Sequence, residues 1–317
     1  MSIEHARAHS VAKPWGVMDL RPWSESQDAV PVGEIRYERP DRASADPSLL
    51  LKLLFTSERL SIQVHPDDAS AHAIGLPNGK TEAWYVLSAA PDAKVGLGLT
   101  RRLTPQQLRE AVADGTILDL VRWRSAAAGD TISVPAGTIH AIGAGLVVAE
   151  IQQNSDATFR LFDYGRARDL HVESAIAVAN AGPADLAVEP RRLTGERTLL
   201  VSGPYFVFER IDLLPNSKWH LEVGAETWLL VIAGVGIAGS SDVAPGDVVF
   251  AQADRVALQA GASGMAALVA YPGAVPADHL LQEVKRSGTT DWPPPRVPAS
   301  LTQAKAAATN ARLERTK

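Results

Sequence analysis

Short runs of aliphatic, β-branched and aromatic residues, each cut off by Gly, Pro, Asn or Asp, constrain this chain more than any other feature. LSIQV (60–64), AWYVL (83–87), DTISV (130–134), LVVAEIQ (146–152), YFVFERIDL (205–213), TWLLVIA (227–233) and DVVFA (247–251) all predict strands. Turn signals such as Pro66-Asp67-Asp68, Pro77-Asn78-Gly79 and Pro135-Ala136-Gly137 lie between them. Many short strands at this spacing predict a mainly β fold, a sandwich or barrel of the jelly-roll type. One helical block interrupts the pattern. Thr104 is placed to cap a helix with Pro105 in its first position, Leu108 and Val112 share a face, and Gly115 ends it. ILDLVRW, after Thr116, predicts a second short helix.

The phrase Gly-Asp opens a strand twice, in AAAGDTISVPAG (126–137) and VAPGDVVFAQAD (243–254). Each lies downstream of a strand with a Glu-x-Trp start, TEAWYVL (81–87) and ETWLLVIAG (226–234). Such a repeat predicts two related β-barrel units. The expected division is a first barrel over 1–190 with a helical insert at about 104–124, a second over 191–275, and a C-terminal extension over 276–317. The extension is rich in Ala, Lys and Arg: residues 285–317 hold seven Lys/Arg against two Asp/Glu, which predicts a solvated tail or a docked helix.

Composition excludes several function classes. With 46% hydrophobic and 21% charged residues, the chain is not of a disordered type. A net charge of −5 argues against a nucleic-acid partner. The most apolar run, Trp228 to Gly239, is too short for a membrane helix and no apolar leader precedes the first strands, so no membrane partner and a cytoplasmic location are expected. Cysteine is absent, which removes disulfides, thiolate nucleophiles and Cys-based metal sites. Any metal must be held by His, carboxylate or amide oxygen, and there are only eight His.

LSIQVHPDD (60–68) is the informative segment. Strand alternation predicts Leu60, Ile62 and Val64 on one face, with Ser61, Gln63 and His65 on the other. Glu82 follows in GKTEAWYV, two residues after Lys80, and His140 comes just past a tight turn in PAGTIHAIG. Two His, one Glu and one Gln form a set suited to a divalent, zinc-like metal with positions left for water or substrate. Alternation also puts Glu150 and Gln152 on one strand face, and Arg160 offers a planar donor fork suited to a phosphate or an enediolate.

QVHPDD, NGKTEAWYVL, VPAGTIHAIG and AEIQQNSDATFRLFDYGR, in this order, resemble the signature blocks of type I mannose-6-phosphate isomerase, a zinc cupin. KPWG (13–16) and VGEIRY (32–37) resemble its short bacterial branch, and the likeness runs from about residue 13 to 273. It implies two cupin barrels, one Zn²⁺ or another divalent metal per chain, and the ligands Gln63, His65, Glu82 and His140. It implies Arg160, Lys80, Glu150 and Asp156 as catalytic residues. The small-molecule sugar phosphate would be mannose 6-phosphate, interconverted with fructose 6-phosphate through a cis-enediol. Either Lys80 or Glu150 would move the carbon-bound proton, and Asp156 would assist ring opening. Larger members have a His where this chain has Gly79, and their long helical insertion is missing here.

Other readings carry less. Two His and a carboxylate also build non-haem iron oxygenase sites, and a cupin can bind sugars without catalysis. Gly234-Val-Gly236-Ile-Ala-Gly239 fits a dinucleotide fingerprint, but a turn and a strand follow instead of a helix. The second unit keeps Glu226 and His220 but has no His in FAQADRVAL, so it is expected to be metal-free and structural. His5, His9, His72, His171 and His279 lack partner spacing and are expected at the surface. A monomer is the default assembly.

Overall fold

The computed structural model describes residues 2–25, 28–39, 46–184, 188–224 and 226–284. The chain opens with β1 (Ser2–His5), β2 (Arg7–Val17), β3 (Val32–Glu38) and β4 (Leu49–Thr56). Next come β5 (Ile62–Val64), helix α1 (Asp68–Ala73), β6 (Glu82–Ala89) and β7 (Lys94–Leu99). Helices α2 (Pro105–Asp114) and α3 (Ile117–Leu120) lead into β8 (Val121–Ser125), β9 (Thr131–Val134), β10 (His140–Ile142) and β11 (Leu146–Gln153). After β12 (Phe159–Phe162) and α4 (Val172–Val178) the described residues form strands only: β13 (Arg191–Arg192), β14 (Arg197–Ser202), β15 (Phe206–Leu213) and β16 (Lys218–Val223). The last are β17 (Thr227–Ala238), β18 (Ser241–Val243), β19 (Val248–Gln252), β20 (Asp254–Pro272) and β21 (Leu281–Glu283).

The first unit pairs a sheet ordered β2-β3-β4-β11-β6-β9 with a sheet ordered β12-β5-β10-β7-β8. The second curls one sheet around its own core, along the path β1-β19-β17-β20-β15-β14-β13 with β16, β18 and β21 attached. The six-stranded sheet is covered on both faces. Leu49, Leu51, Leu53 and Phe55 of β4, Ala149 and Ile151 of β11, and Ala83 and Tyr85 of β6 pack against Phe206, Phe208, Trp228, Leu230 and Phe250 of the second unit. The alternate residues, Leu54, Trp84, Val86, Leu146 and Val148, fill the interior of the first. That double burial explains why β4 reads LLLKLLFT, with one lysine in an apolar run. Helices α2 and α4 cover the outer face of the five-stranded sheet, against Ile62, Val64, Ile139 and Leu161. The α2 terminus is built as its sequence predicts: Thr104 and Gln107 form a reciprocal capping box, and Gly115 takes the left-handed conformation at φ 83°.

Several details depart from the sequence reading. Helix α3 stops at Leu120, and Val121-Arg122-Trp123 continue as β8, since Val121 and Trp123 pair with β7. Alternation starts only at Ile62: Leu60, just before β5, joins the barrel interior on the same side as Gln63. Residues 2–5, counted with the first barrel, pair through β1 with β19 of the second unit and cover an edge that would otherwise be open. Residues 281–283, counted with the tail, form β21 on β16, and Leu280 is buried. The rest of the expected tail, 285–317, lies outside the described residues.

The repeat is real at one place and out of step at the other. Ala127 N–H donates to Asp130 Oδ2 (3.0 Å) as Ala244 N–H does to Asp247 Oδ2 (2.8 Å). Val86 N–H donates to Asp130 O (2.9 Å) as Val231 N–H does to Asp247 O (3.0 Å). This equivalence of Val86 with Val231 puts Thr227, not Glu226, opposite Glu82. The two Glu-x-Trp phrases therefore differ by one residue, and a one-residue slip turns the side chains to the other face. Trp84 points into the first barrel, while Trp228 points out into the core shared by the two units.

Candidate metal centre and active site

The two sheets of the first unit bring chemically different rows face to face. On the five-stranded sheet, Gln63 of β5 is paired with His140 of β10 on one side and Arg160 of β12 on the other. On the six-stranded sheet, Glu150 of β11 lies between Lys52 of β4 and Trp84 of β6, and Gln152 is paired with Glu82. Between the rows is a cavity of about 450 Å³ whose walls include Ser61, Gln63, Lys80, Glu82, Glu150 and Arg160. Two glycines permit the turns that deliver the ligands. A Cβ on Gly79 would lie 2.5 Å from the carbonyl carbon of Asp67, so only glycine lets the segment that carries Lys80 and leads into Glu82 of β6 lie against the turn after His65. Gly137 sits at φ 83° and donates its N–H to His65 O (2.8 Å), tying the turn before His140 to the other histidine.

His65, Glu82 and His140 are each 1% exposed. His65 Nδ1–H donates to Ala157 O (2.7 Å) and His140 Nδ1–H to Thr138 O (2.9 Å). Each carbonyl fixes its ring in the tautomer with a bare Nε2, the arrangement that outer partners impose on metal-bound histidines. Both bare nitrogens face Glu82: His140 Nε2 is 3.3 Å from Oε1 and His65 Nε2 is 3.5 Å from Oε2. His65 Nε2 and Glu82 Oε2 are buried and make no hydrogen bond. Ligand atoms around a tetrahedral metal with bonds near 2.1 Å stand about 3.4 Å apart. The three side chains therefore fit a metal, and among the described residues they are the one such cluster. Burial, with Lys80 adding to it, lowers the His65 pKa to about 3, so its imidazole is neutral and ready to ligate. Burial likewise lowers His140. Burial would raise Glu82, but Lys80 and the two histidines outweigh it and hold the carboxyl well below its usual range. Gln63 Nε2 lies 3.3 Å from His140 Nε2 while Ser61 Oγ donates to Gln63 Oε1 (2.9 Å). Turning the amide over exchanges these roles and presents Oε1 as a fourth ligand atom.

Charged groups line the opposite wall. Lys80 Nζ is 3.3 Å from Glu82 Oε2. Burial opposes its charge, but Glu82 and Glu150 prevail and raise its pKa. Glu150 is raised, by burial first and Glu82 second, against the pull of Lys80 and Lys52. Its Oε2 accepts from Trp84 Nε1–H (3.2 Å). Asp156 stands at the exposed rim, 3.2 Å from Arg36. All eight residues singled out in the sequence thus converge at one end of the first barrel.

Three others complete the pocket. Lys52 is 4% exposed, donates to Gln152 Oε1 (2.7 Å) and lies 3.5 Å from Glu150 Oε1. Its sequence signal was the lone charge in LLLKLLFT. Arg168 lines the same pocket and is held by Asp163 through two hydrogen bonds of 2.6 and 2.7 Å. His171, expected at the surface, is a half-buried part of the wall. Arg160 differs from the other cations in having a buried Nε with no hydrogen-bond partner; burial lowers its pKa, as it does that of Lys52.

In the second unit, Glu226 is not turned toward a metal cluster. It accepts from Ser48 N–H (2.5 Å), Ser48 Oγ–H (2.9 Å) and Leu49 N–H (2.9 Å), at the start of β4.

No family model matches the chain. It is 39% identical over 224 residues to mannose-6-phosphate isomerase of Streptococcus mutans, a match covering 65% of this chain and 69% of that protein. It is 41% identical over 138 residues to mannose-6-phosphate isomerase ManA of Bacillus subtilis, covering 41% of this chain and 43% of that one. The fold is similar to the crystal structure of mannose 6-phosphate isomerase from Bacillus subtilis (TM-score 0.75, 25% identity, 86% of this chain and 100% of that one). It is also similar to a variant of phosphomannose isomerase from Salmonella typhimurium (TM-score 0.68, 15% identity, 86% of this chain and 100% of that one), a likeness of fold alone. With a histidine–glutamate–histidine cluster in a barrel of this topology, and this identity over more than two thirds of a relative, the chain belongs to the type I mannose-6-phosphate isomerase family.

Proposed function

We propose that the chain interconverts mannose 6-phosphate and fructose 6-phosphate through a cis-enediol, with one divalent metal, zinc by the chemistry of its donors, held by Gln63, His65, Glu82 and His140. The observation that carries this reading is the convergence of two bare histidine nitrogens on the buried Glu82 carboxylate, in the wall of a cavity that Arg160 also lines. When bound, the metal supplies polarisation of substrate oxygens and stabilisation of the developing enediolate charge.

The chain's own groups divide the rest of the work. Interconversion moves a proton from one sugar carbon to its neighbour, so one group must take it and return it. Glu150, raised by its burial and by Glu82, is matched to that task. Lys80, raised by the carboxylates around it, keeps its proton and serves as a cationic donor to substrate oxygen. Lys52 lies beside Glu150 and favours its charged form once the proton has left. Arg160 receives the phosphate or the enediolate, and Asp156 at the rim assists ring opening.

The test is to strip the protein with a chelator, restore Zn²⁺, Fe²⁺ or Mn²⁺ separately, and assay conversion of mannose 6-phosphate. Turnover that disappears on stripping and returns with metal is the expected result. Metal uptake without turnover under any of the three would favour a sugar-binding cupin without catalysis.

A further inference from the structure

The isomerase reading gives the pocket a phosphorylated substrate but leaves open what, besides Arg160, holds the phosphoryl group. Thr158, Arg160, Arg168 and His171 are among the residues that line the cavity. Of the two arginines, Arg168 is already engaged by Asp163, whereas the Arg160 guanidinium lines the cavity and makes no side-chain hydrogen bond or ion pair among the described residues. The anion seat is therefore at Arg160, and the residue bonded to its backbone is His171.

His171 closes a two-way clip with Arg160. Its backbone N–H donates to Arg160 O (2.8 Å), and its ring Nδ1 accepts from Arg160 N–H (3.3 Å). Accepting at Nδ1 fixes the neutral tautomer, so the ring proton is on Nε2. Nε2 makes no hydrogen bond within the described residues, and it is not among the sealed, unsatisfied atoms of the molecule. His171 lines the cavity together with Arg160, so this accessible, unpartnered N–H is a donor available to a ligand there. Helix α4, which starts directly after His171, is fixed to α2 by Glu173, whose carboxylate accepts from Arg109 Nε (2.7 Å) and Nη2 (2.7 Å). The donor is thus mounted on a packed element.

We propose that His171 is a substrate-binding residue whose Nε2–H donates to the phosphoryl group held at Arg160. The proposal rests on the isomerase reading for the nature of the ligand. Three variants separate donation from mere support of the backbone. His171→Asn keeps a polar atom near Nδ1 but has no donor at the Nε2 position; His171→Gln reaches the Nε2 position but loses the clip; His171→Phe loses both. The readout is calorimetric titration of the metal-loaded protein with inorganic phosphate, accompanied by kcat and KM for mannose 6-phosphate.

Hydrogen bonds to charged groups are strong enough that Asn and Phe should each weaken phosphate binding by on the order of tenfold. KM should rise in parallel, kcat should stay within about twofold, and Gln should recover much of the loss. Wild-type phosphate affinity in the Asn variant, with the loss confined to Gln and Phe, would assign His171 a backbone-supporting role and overturn the proposal. So would a wild-type protein that binds no phosphate. Because the titration needs no turnover, phosphate binding that follows the expected order in a protein inactive toward mannose 6-phosphate would overturn the isomerase reading while sustaining the role of His171.

Discussion

Burial displaces the ionisation of His65 far from its ordinary range. Burial and Lys80 bring its pKa to about 3, while the same side chain in the unfolded chain titrates near 6.5. The unfolded state therefore binds a proton that the folded state refuses. The resulting stability is fully present above about pH 6.5 and is lost progressively as pH falls toward 3. The metal-stripped protein should show a melting temperature that drops between pH 7.5 and pH 5, and His65→Gln should flatten that slope. A slope unchanged by the substitution would place the acid sensitivity elsewhere. The sequence displayed this histidine well, because QVHPDD joins strand alternation to turn chemistry. It concealed Lys52 and His171. Lysine in a strand buried on both faces has no alternation to betray which side it takes, and the turn that brings His171 to the wall is a tertiary feature.

At the scale of elements, legibility followed burial and length. Strand β11 announced Glu150 and Gln152 because its inner face turns polar at that end, and α2 announced itself through Thr104, Pro105 and Gly115. Helices α1 and α4, of six and seven residues, are too short to show a helical period. The Glu-x-Trp repeat misled because its two copies differ by one residue of register. What Glu226 does instead is join elements: its carboxylate takes the backbone donors of Ser48 and Leu49 at the head of the strand that carries Lys52. Glu226→Ala should cost about 3 kcal/mol, since it removes charged hydrogen bonds and leaves the buried Leu49 N–H unpaired. Chemical denaturation should register that loss with metal content unchanged. A variant as stable as wild type would mean that the joint contributes nothing.

At the scale of the whole molecule, one sheet serves two purposes. Its outer face is cemented to the second unit through Leu53, Phe55, Phe208, Trp228 and Phe250, and this fixes the backbone from which Lys52, Glu82 and Glu150 point the other way. Further ties cross the same boundary, from Tyr37 Oη–H to Gly246 O (2.8 Å) and from Arg210 Nη1–H to Tyr85 Oη (2.7 Å). The second unit acts on the site as its foundation. Against that rigid wall, the five-stranded sheet brings Gln63 and His140, with His65 just past β5, and the space between is where these side chains would hold the metal. The most direct test of this account is the metal-to-protein ratio of His140→Ala, measured by atomic emission on folded, purified protein beside Arg160→Ala. The account expects about one metal per chain in wild type and in Arg160→Ala, which loses turnover for a different reason, and close to none in His140→Ala. Wild-type metal content in His140→Ala would contradict it.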